Sequence, residues 1–288
     1  MYPGTYTRPR PYGIIKRLLF GGIMDQLVMK SRGKINRGLK ILGKRPDGYH
    51  NLDSIMIPIS LQDTITLTKR DRGLVYESNL IELDWTSDNF CKKALDLLEE
   101  KLGRTFSLEI QLEKRIPLGA GLAGGTANGA SILKGLNQLY DLKLDLKDLQ
   151  AWALDLGADF PFCLYDRPAR VQGIGEKIQP LEGKEEAILL VNPGYQLSTP
   201  EVYAWYDQDM DRGIQDQAIN DLEGPVLRRH PQLVQVRESL EATGAYEVSM
   251  SGSGPTFYAV YENQGQRDQA KEKLEGTFEK VLACSTVL

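Results

Sequence analysis

The run Lys114-Arg-Ile-Pro-Leu-Gly-Ala-Gly-Leu-Ala-Gly-Gly-Thr-Ala-Asn-Gly-Ala130 sets five glycines (Gly119, Gly121, Gly124, Gly125, Gly129) between an alternating strand pattern and a helical one. Glycine lets the backbone turn with positive φ and lets its N–H groups come close to an anion. A helix beginning just behind such a loop adds unpaired N–H donors and a positive dipole end. The combination is a bed for phosphate, and a nucleoside triphosphate is the expected ligand. Gly119-x-Gly121-x-x-Gly124 also fits a dinucleotide-binding turn, but that unit needs an acidic residue about 20 positions on, ending a second strand. Here the region reads Leu142-Lys-Leu-Asp-Leu-Lys-Asp-Leu149, a link between helices. No Gly-Lys-Ser/Thr follows, so the loop is not a Walker A. The remaining alternative is a glycine-rich turn that only permits close packing, at a large entropic cost for a simple turn.

Other residues could act beside that loop. Ser251-Gly252-Ser253-Gly254-Pro255 joins two strand patterns and reads either as a hairpin turn or as a second anion loop. Asp159, in Gly157-Ala-Asp-Phe-Pro161, is either a helix-stop residue or a carboxylate held in a cleft as a general base. Lys34 and Asn36 alternate with Ile35, so both leave one face of a strand, which is plain surface or one wall of a site. Asp47-Gly-Tyr-His50 carries one of two histidines; the other, His230, reads as a surface or satisfied polar residue.

These residues need a scaffold, and the patterning supplies one. Leu27 to Ile41 reads as extended, a turn follows at Arg45–Gly48, and Asp53 to Lys69 reads as strand. Asn89 to Leu102 is an amphipathic helix. Phe106, Leu108, Ile110 and Leu112 alternate with polar residues ahead of the glycine loop; Ile132, Leu133, Leu136 and Leu139 repeat at helical spacing after it. A further helix is expected over Leu146–Leu156. Ala187 to Pro193 reads as a buried strand opening a second unit, with helical stretches around 200–222 and 231–242. Strand (Tyr246–Met250), glycine turn, strand (Thr256–Tyr261), helix (266–275) and strand (278–284) close it. Strands and helices mix without a βαβα rhythm, so the expected class is α+β, with a boundary near residue 180. The expected domains are 25–180 and 181–288.

At 288 residues the chain can hold two cores, and 41% hydrophobic with 26% charged residues is ordinary for a globular protein. No apolar run nears the ~18–20 residues of a membrane span. A net charge of −4 without a basic run excludes a nucleic-acid partner, and no membrane partner is expected. Cys91, Cys163 and Cys284 lack disulfide or zinc spacing and are expected as buried thiols in a reducing cytoplasm. The first 24 residues carry Arg8, Arg10, Lys16 and Arg17 and no acid. Gly21-Gly22-Ile23 would be encoded by a purine-rich run like those preceding start codons. Residues 1–24 are therefore expected as an extension, with Met24 the start.

Taken in order, the motifs resemble the GHMP kinases, and within them the family acting on the cytidyl diphosphate of methylerythritol. The likeness runs from about Met29 to Leu282. It rests on Gly33-Lys-Ile-Asn36, Gly43-Lys-Arg-Pro-Asp-Gly-Tyr-His50, Ile116–Gly125, Leu156-Gly-Ala-Asp-Phe-Pro161, Gly173-Ile-Gly-Glu176, Asn192-Pro-Gly194, Ser198–Tyr203 and Met250–Thr256. The resemblance implies an N-terminal α+β domain, a C-terminal ferredoxin-like domain and a site between them. It implies ATP-dependent phosphorylation of a tertiary hydroxyl, the 2-hydroxyl of the methylerythritol part, on the non-mevalonate route to isoprenoid precursors. Asp159 matches the family's general base, and Lys34 the lysine that pairs with it and with the reacting oxygen. Asn36 would hydrogen-bond the substrate nearby. Pro117, Leu118, Gly119, Ala120, Gly121, Leu122, Ala123, Gly124, Gly125 and Thr126 would hold ATP phosphates with Mg²⁺, and Ser251, Gly252, Ser253 and Gly254 form the second glycine loop. His50 would read the cytosine edge, Tyr49 would position the cytidine, Tyr203 would stack on the base, and Thr199 lies in the same segment.

The chain departs from the family's pattern in places. The family usually has alanine at Gly33, leucine at Arg37 or Gly38, often aspartate at Lys40, and two serines where this chain has Thr126-Ala127. A missing phosphate- or Mg²⁺-holding hydroxyl would cost ~1–3 kcal/mol. Two other readings follow: a GHMP kinase for another alcohol, such as mevalonate or homoserine, and a nucleotide-binding paralogue impaired in catalysis.

Overall fold

The computed structural model describes the backbone of residues 14–20 and 23–288, and side chains from residue 25 onward. The expectation of an extension ending at Met24 falls largely outside the described residues. Among them, β1 (Ile14–Phe20) pairs antiparallel with β2 (Ile23–Lys44), and β2 pairs along nearly its whole length with β3 (His50–Lys69). Then come β4 (Leu74–Ser78), α1 (Phe90–Leu102), β5 (Leu108–Glu113), α2 (Gly124–Leu139), α3 (Leu146–Ala153), α4 (Phe160–Tyr165), β6 (Ala169–Gly173) and β7 (Lys177–Pro180). A second run follows: β8 (Ala187–Asn192), α5 (Thr199–Asp211), α6 (Glu223–Arg229), α7 (Gln232–Glu241), β9 (Glu247–Met250), β10 (Phe257–Tyr261), α8 (Gln264–Leu274) and β11 (Lys280–Ser285).

The first sheet runs β1-β2-β3-β5-β4, with β6 pairing the early part of β3 and β7 pairing β6. One core fills the space between this sheet and α1, α2 and α4, with Leu67, Leu98, Leu133 and Phe160 fully buried. The second sheet has the order β11-β8-β10-β9, every pair antiparallel. Strand, helices, two strands, helix, strand in that order is the ferredoxin-like arrangement. The class is α+β, as the patterning predicts.

The second sheet is covered on both faces, which explains why β8 reads as a continuous apolar run. Its residues alternate between two cores. Ala187, Leu189 and Val191 join Phe257 and Ala259 beneath the helices of the second run. Ile188 and Leu190 join Tyr258 and Val260 against Ile35, Ile57 and Ile59 of the first sheet. The glycine loop sends Ile116, Ala120 and Leu122 into that shared core. Each fully buried aliphatic side chain contributes about 1.5–3 kcal/mol, so the loop is anchored between the sheets rather than draped over them.

Candidate active site

Lys34 and Asn36 sit opposite Pro58 and Met56 in the β2–β3 ladder, on one face as their spacing predicts. The Lys34 ammonium, 5% exposed, donates to Asn36 Oδ1 at 2.6 Å and the Gly121 carbonyl at 3.2 Å, and lies 3.5 Å from Asp159 Oδ2. Asn36 in turn donates to Ser54 Oγ at 2.9 Å, and Ser54 donates to the Gly38 carbonyl at 2.7 Å. Ser54, which the motifs do not mark, thus fixes the Asn36 amide. Asp159 occupies the N-cap position of α4, just before Phe160 and Pro161, but its carboxylate makes no cap bond there. Its side chain is about one-third exposed and faces a cavity of about 930 Å³.

The two glycine loops meet above Lys34. Gly121 has φ +73°, and a Cβ there would stand 2.3 Å from the Ser251 carbonyl and 2.9 Å from that of Gly254, so only glycine lets the loops touch. The Ser251 hydroxyl is fully buried, donating to the Gly121 carbonyl at 3.1 Å and accepting the Asn36 N–H at 3.3 Å. Ser251 therefore ties loop to loop and does not line the cavity, unlike Gly252, Ser253 and Gly254. Leu122 also has another role: its side chain belongs to the shared core and its carbonyl accepts the Lys34 N–H at 3.0 Å. Pro117, Leu118, Gly119, Ala120, Gly121, Ala123, Gly124, Gly125 and Thr126 line the cavity.

Three of the five glycines have a packing role as well. α2 begins at Gly124, earlier than its apolar repeat shows, so Gly124, Gly125 and Gly129 are helical. A Cβ on them would stand 2.8 Å from Ile116, 2.9 Å from Phe90 and 2.7 Å from Phe160 respectively. Ala123 caps α2 in the left-handed region with no side-chain bond to the first turn, which leaves those N–H groups to a ligand. The strand-to-loop junction is fastened by a buried network absent from the motifs. Asp63 Oδ1 accepts the N–H groups of Arg115 and Ile116 at 2.7 and 2.9 Å, while its Oδ2 accepts from Lys114 Nζ at 2.5 Å and Asn128 at 2.8 Å.

A second cluster lines the same cavity. The His50 ring stacks on Tyr203 at 5.1 Å and 25°, and meets the edge of Tyr206 at 6.3 Å. Its Nε2 bonds Asp207 Oδ1 at 2.8 Å, and Lys44 Nζ donates to Asp207 Oδ2 at 2.6 Å. The ring against Tyr203 is thus an imidazole in this structure. Burial raises Asp207, but Lys44 and His50 more than offset it and hold the carboxyl below its ordinary range. Burial, with Asp159 nearby, pushes the Tyr203 phenol up. Tyr49 is exposed at the cavity, and Thr199 shares a 2.9 Å hydroxyl contact with Ser253, joining the start of α5 to the second glycine loop. A third cluster, with Tyr76, Asn89, Phe90 and Leu112, lines the cavity beyond the glycine loop and is mostly apolar.

The departures have local partners. Arg37 reaches Glu247 at 2.9 Å and also Glu186, both from the second run of elements. Burial opposes its charge, but the two carboxylates win and hold the guanidinium above its usual range. Lys40 donates to Asp221 at 2.8 Å and the Ala218 carbonyl at 2.6 Å. Gly33 has a would-be Cβ 3.4 Å from its nearest neighbours, so the alanine of the family pattern would be a snug fit. Ala127 is buried in the first core, while Thr126 lines the cavity. The hydroxyl lost at position 127 would face apolar side chains rather than a phosphate.

All three cysteines are buried, and burial pushes Cys91 and Cys284 up to about 12. No group of three or more His, Cys, Asp or Glu that could hold a metal ion is found among the described residues. No helix among them is long and apolar enough to cross a membrane.

The family model for the GHMP kinases N terminal domain matches residues 89–167, and that for the GHMP kinases C terminal matches residues 207–280. A 4-diphosphocytidyl-2-C-methyl-D-erythritol kinase of Alkaliphilus metalliredigens is 37% identical over 271 residues, covering 87% of this chain and 93% of its own. One from Clostridioides difficile is 34% identical over 285 residues, covering 91% and 96%. A crystal structure of a 4-(cytidine 5'-diphospho)-2C-methyl-D-erythritol kinase superposes with a TM-score of 0.76 at 33% identity, covering 90% of this chain and 98% of that one. The chain is a small-molecule kinase and belongs to the GHMP kinases, within them to the 4-diphosphocytidyl-2-C-methyl-D-erythritol kinase family.

Proposed function

We propose that this chain transfers the γ-phosphoryl group of ATP to the 2-hydroxyl of 4-diphosphocytidyl-2-C-methyl-D-erythritol, a step in non-mevalonate isoprenoid precursor synthesis. The observation that carries the reading is the 3.5 Å approach of Lys34 Nζ to Asp159, in a cavity lined also by the glycine loop and the His50–Tyr203 pair. Asp159 takes the hydroxyl proton as the substrate oxygen attacks the γ-phosphorus. The bond from that phosphorus to the β–γ bridging oxygen breaks, and ADP leaves. Lys34, held by Asn36 and Gly121, steadies the carboxylate and the reacting oxygen. Most of the rate comes from alignment and charge neutralisation rather than from the base.

The first N–H groups of α2 and the Pro117–Gly125 backbone receive the phosphates, and the apolar cluster of Tyr76, Phe90 and Leu112 offers ring faces and aliphatic surface to the purine. Mg²⁺ travelling with ATP would take few protein oxygens and lean on phosphates, in keeping with the lack of a carboxylate cage among the described residues. Thr126, which lines the cavity, would be the hydroxyl that holds it, and the ion would neutralise charge on the phosphates. His50 and Tyr49 receive the pyrimidine, with Tyr203 behind the imidazole.

The test is an ADP-release assay with Mg-ATP and the cytidyl compound, run beside mevalonate and homoserine. Release with the cytidyl compound alone is expected. Release with another alcohol, or silence from folded protein that still binds ATP, would overturn the reading.

A further inference from the structure

Tyr203, Tyr206 and Asp207 stand at i, i+3 and i+4 of α5, so one helix face delivers all three to the His50 ring. Tyr203 covers a face, Tyr206 meets the ring edge-on and Asp207 holds Nε2. The other Asp207 oxygen is engaged by Lys44. A carboxylate is an acceptor only, so the neutral imidazole bonded to it carries its proton on Nε2 and leaves Nδ1 a bare acceptor. Nδ1 makes no bond within the chain among the described residues. Among the described residues no buried side-chain nitrogen or oxygen is left without a partner, so Nδ1 is not sealed in the interior, and His50 lines the cavity.

We infer that Asp207, with Lys44 behind it, is a specificity-determining positioning residue: it sets the His50 tautomer so that Nδ1 accepts from an amino-bearing pyrimidine and rejects a carbonyl-bearing one. Cytosine presents an amine donor at C4, and uracil presents a carbonyl acceptor there. A bare Nδ1 pairs with the first and leaves two acceptors opposed against the second. Sites built to hydrogen-bond a substrate group discriminate strongly against an analogue that cannot pair. The inference rests on the reading that His50 faces the base of a cytidyl substrate.

Asp207→Asn separates this role from simple support. Lys44 can only donate, so it keeps the amide oxygen and turns the NH₂ toward Nε2. Nε2 must then accept, and the proton moves to Nδ1, the arrangement that suits uracil. Steady-state kinetics would compare cytidyl and uridyl diphosphate methylerythritol in the wild type, Asp207→Asn and His50→Ala. The expected result is that Asp207→Asn lowers the cytidyl-to-uridyl preference in kcat/KM by about tenfold or more, through KM, with KM for ATP unmoved. An unchanged preference in that variant, with the wild type selective, overturns the inference. If His50→Ala keeps the wild-type KM and selectivity, the base-reading premise itself fails. A second measurement needs neither a variant nor substrate: imidazole ¹⁵N shifts of the wild type should show the proton of neutral His50 on Nε2. Finding it on Nδ1 overturns the inference.

Discussion

The backbone of Gly175 lies directly against the carbonyl of Ala158, so that a Cβ at 175 would stand 2.0 Å from that oxygen. Ala158 immediately precedes Asp159, so the turn between β6 and β7 is the backstop of the proposed base. The turn is closed from within, as Glu176 Oε2 accepts the N–H groups of Ile174 and Gly175 at 2.7 and 3.2 Å. Gly175 also has φ +139°, where a side chain is strained in any case. Gly175→Ala should shift Asp159 and lower kcat by roughly 10²-fold, the scale of a misplacement near 1 Å, while the ATP dissociation constant stays close to wild type. Wild-type kcat in the variant would show that the turn does not hold the base.

Asp63 and Lys114 are both buried to within a few per cent. Removing one partner strands the other, and breaking such a pair typically costs about 3–5 kcal/mol. Asp63→Ala also frees the N–H groups of Arg115 and Ile116, where the strand enters the glycine loop. Urea unfolding should therefore show a loss of about 3–5 kcal/mol, accompanied by a higher KM for ATP. A loss below ~1 kcal/mol would mean that water replaces the carboxylate.

Strand, glycine loop and helix around residue 120 are legible because each rests on local periodicity or composition, and Lys34 with Asn36 because strand alternation fixes their common face. The glycines were only half legible. Composition marks them as unusual, but whether a glycine frees an N–H or admits a neighbour's ring depends on Phe90 and Phe160, which approach from elsewhere in the chain. Asp207 went unread although its spacing from Tyr203 was visible. Its partner His50 is 157 positions away, and nothing local indicates that α5 crosses the start of β3. Arg37 is similar: beside the Lys-Ile-Asn motif it reads as a disturbance, and only the fold supplies Glu186 and Glu247.

That pairing can be measured. Arg37 sits on β2 and its carboxylates on the second run of elements, with the Tyr258 hydroxyl also donating to Glu247 at 3.0 Å. Arg37→Leu removes the guanidinium but leaves two partly buried carboxylates together. It should destabilise by about 1–3 kcal/mol, less than a fully buried pair because the guanidinium is one-quarter exposed. Adding Glu247→Gln should recover part of the loss in a double-mutant cycle. Additive losses would mean that Arg37 and Glu247 are not coupled.

Asp209 predicts an acid limb. Arg229 and then Arg228 outweigh burial and hold its carboxyl down to about 2, against an ordinary 3.8. A carboxyl whose folded value is depressed contributes stability above its unfolded value and loses it as pH falls through the folded one. Its contribution is thus complete above about pH 4 and fades toward about pH 2. Asp209→Asn should lower Tm at neutral pH and flatten its fall across that window. An unchanged slope would assign the acid limb to other carboxylates.

Asp159→Asn tests the chemistry most directly. The amide keeps the size of the side chain and can still accept from Lys34, but it cannot take a proton from the substrate. Because phosphoryl transfer depends chiefly on alignment and charge, the loss should be partial: kcat falling ~10²–10⁴-fold with ATP affinity near wild type. ATP binding by calorimetry and single-turnover transfer read the two effects separately. Transfer at the wild-type rate would remove Asp159 as the base and leave Lys34 and the loops to act by positioning alone. A loss confined to ATP affinity would place the carboxylate with the nucleotide instead of the acceptor hydroxyl.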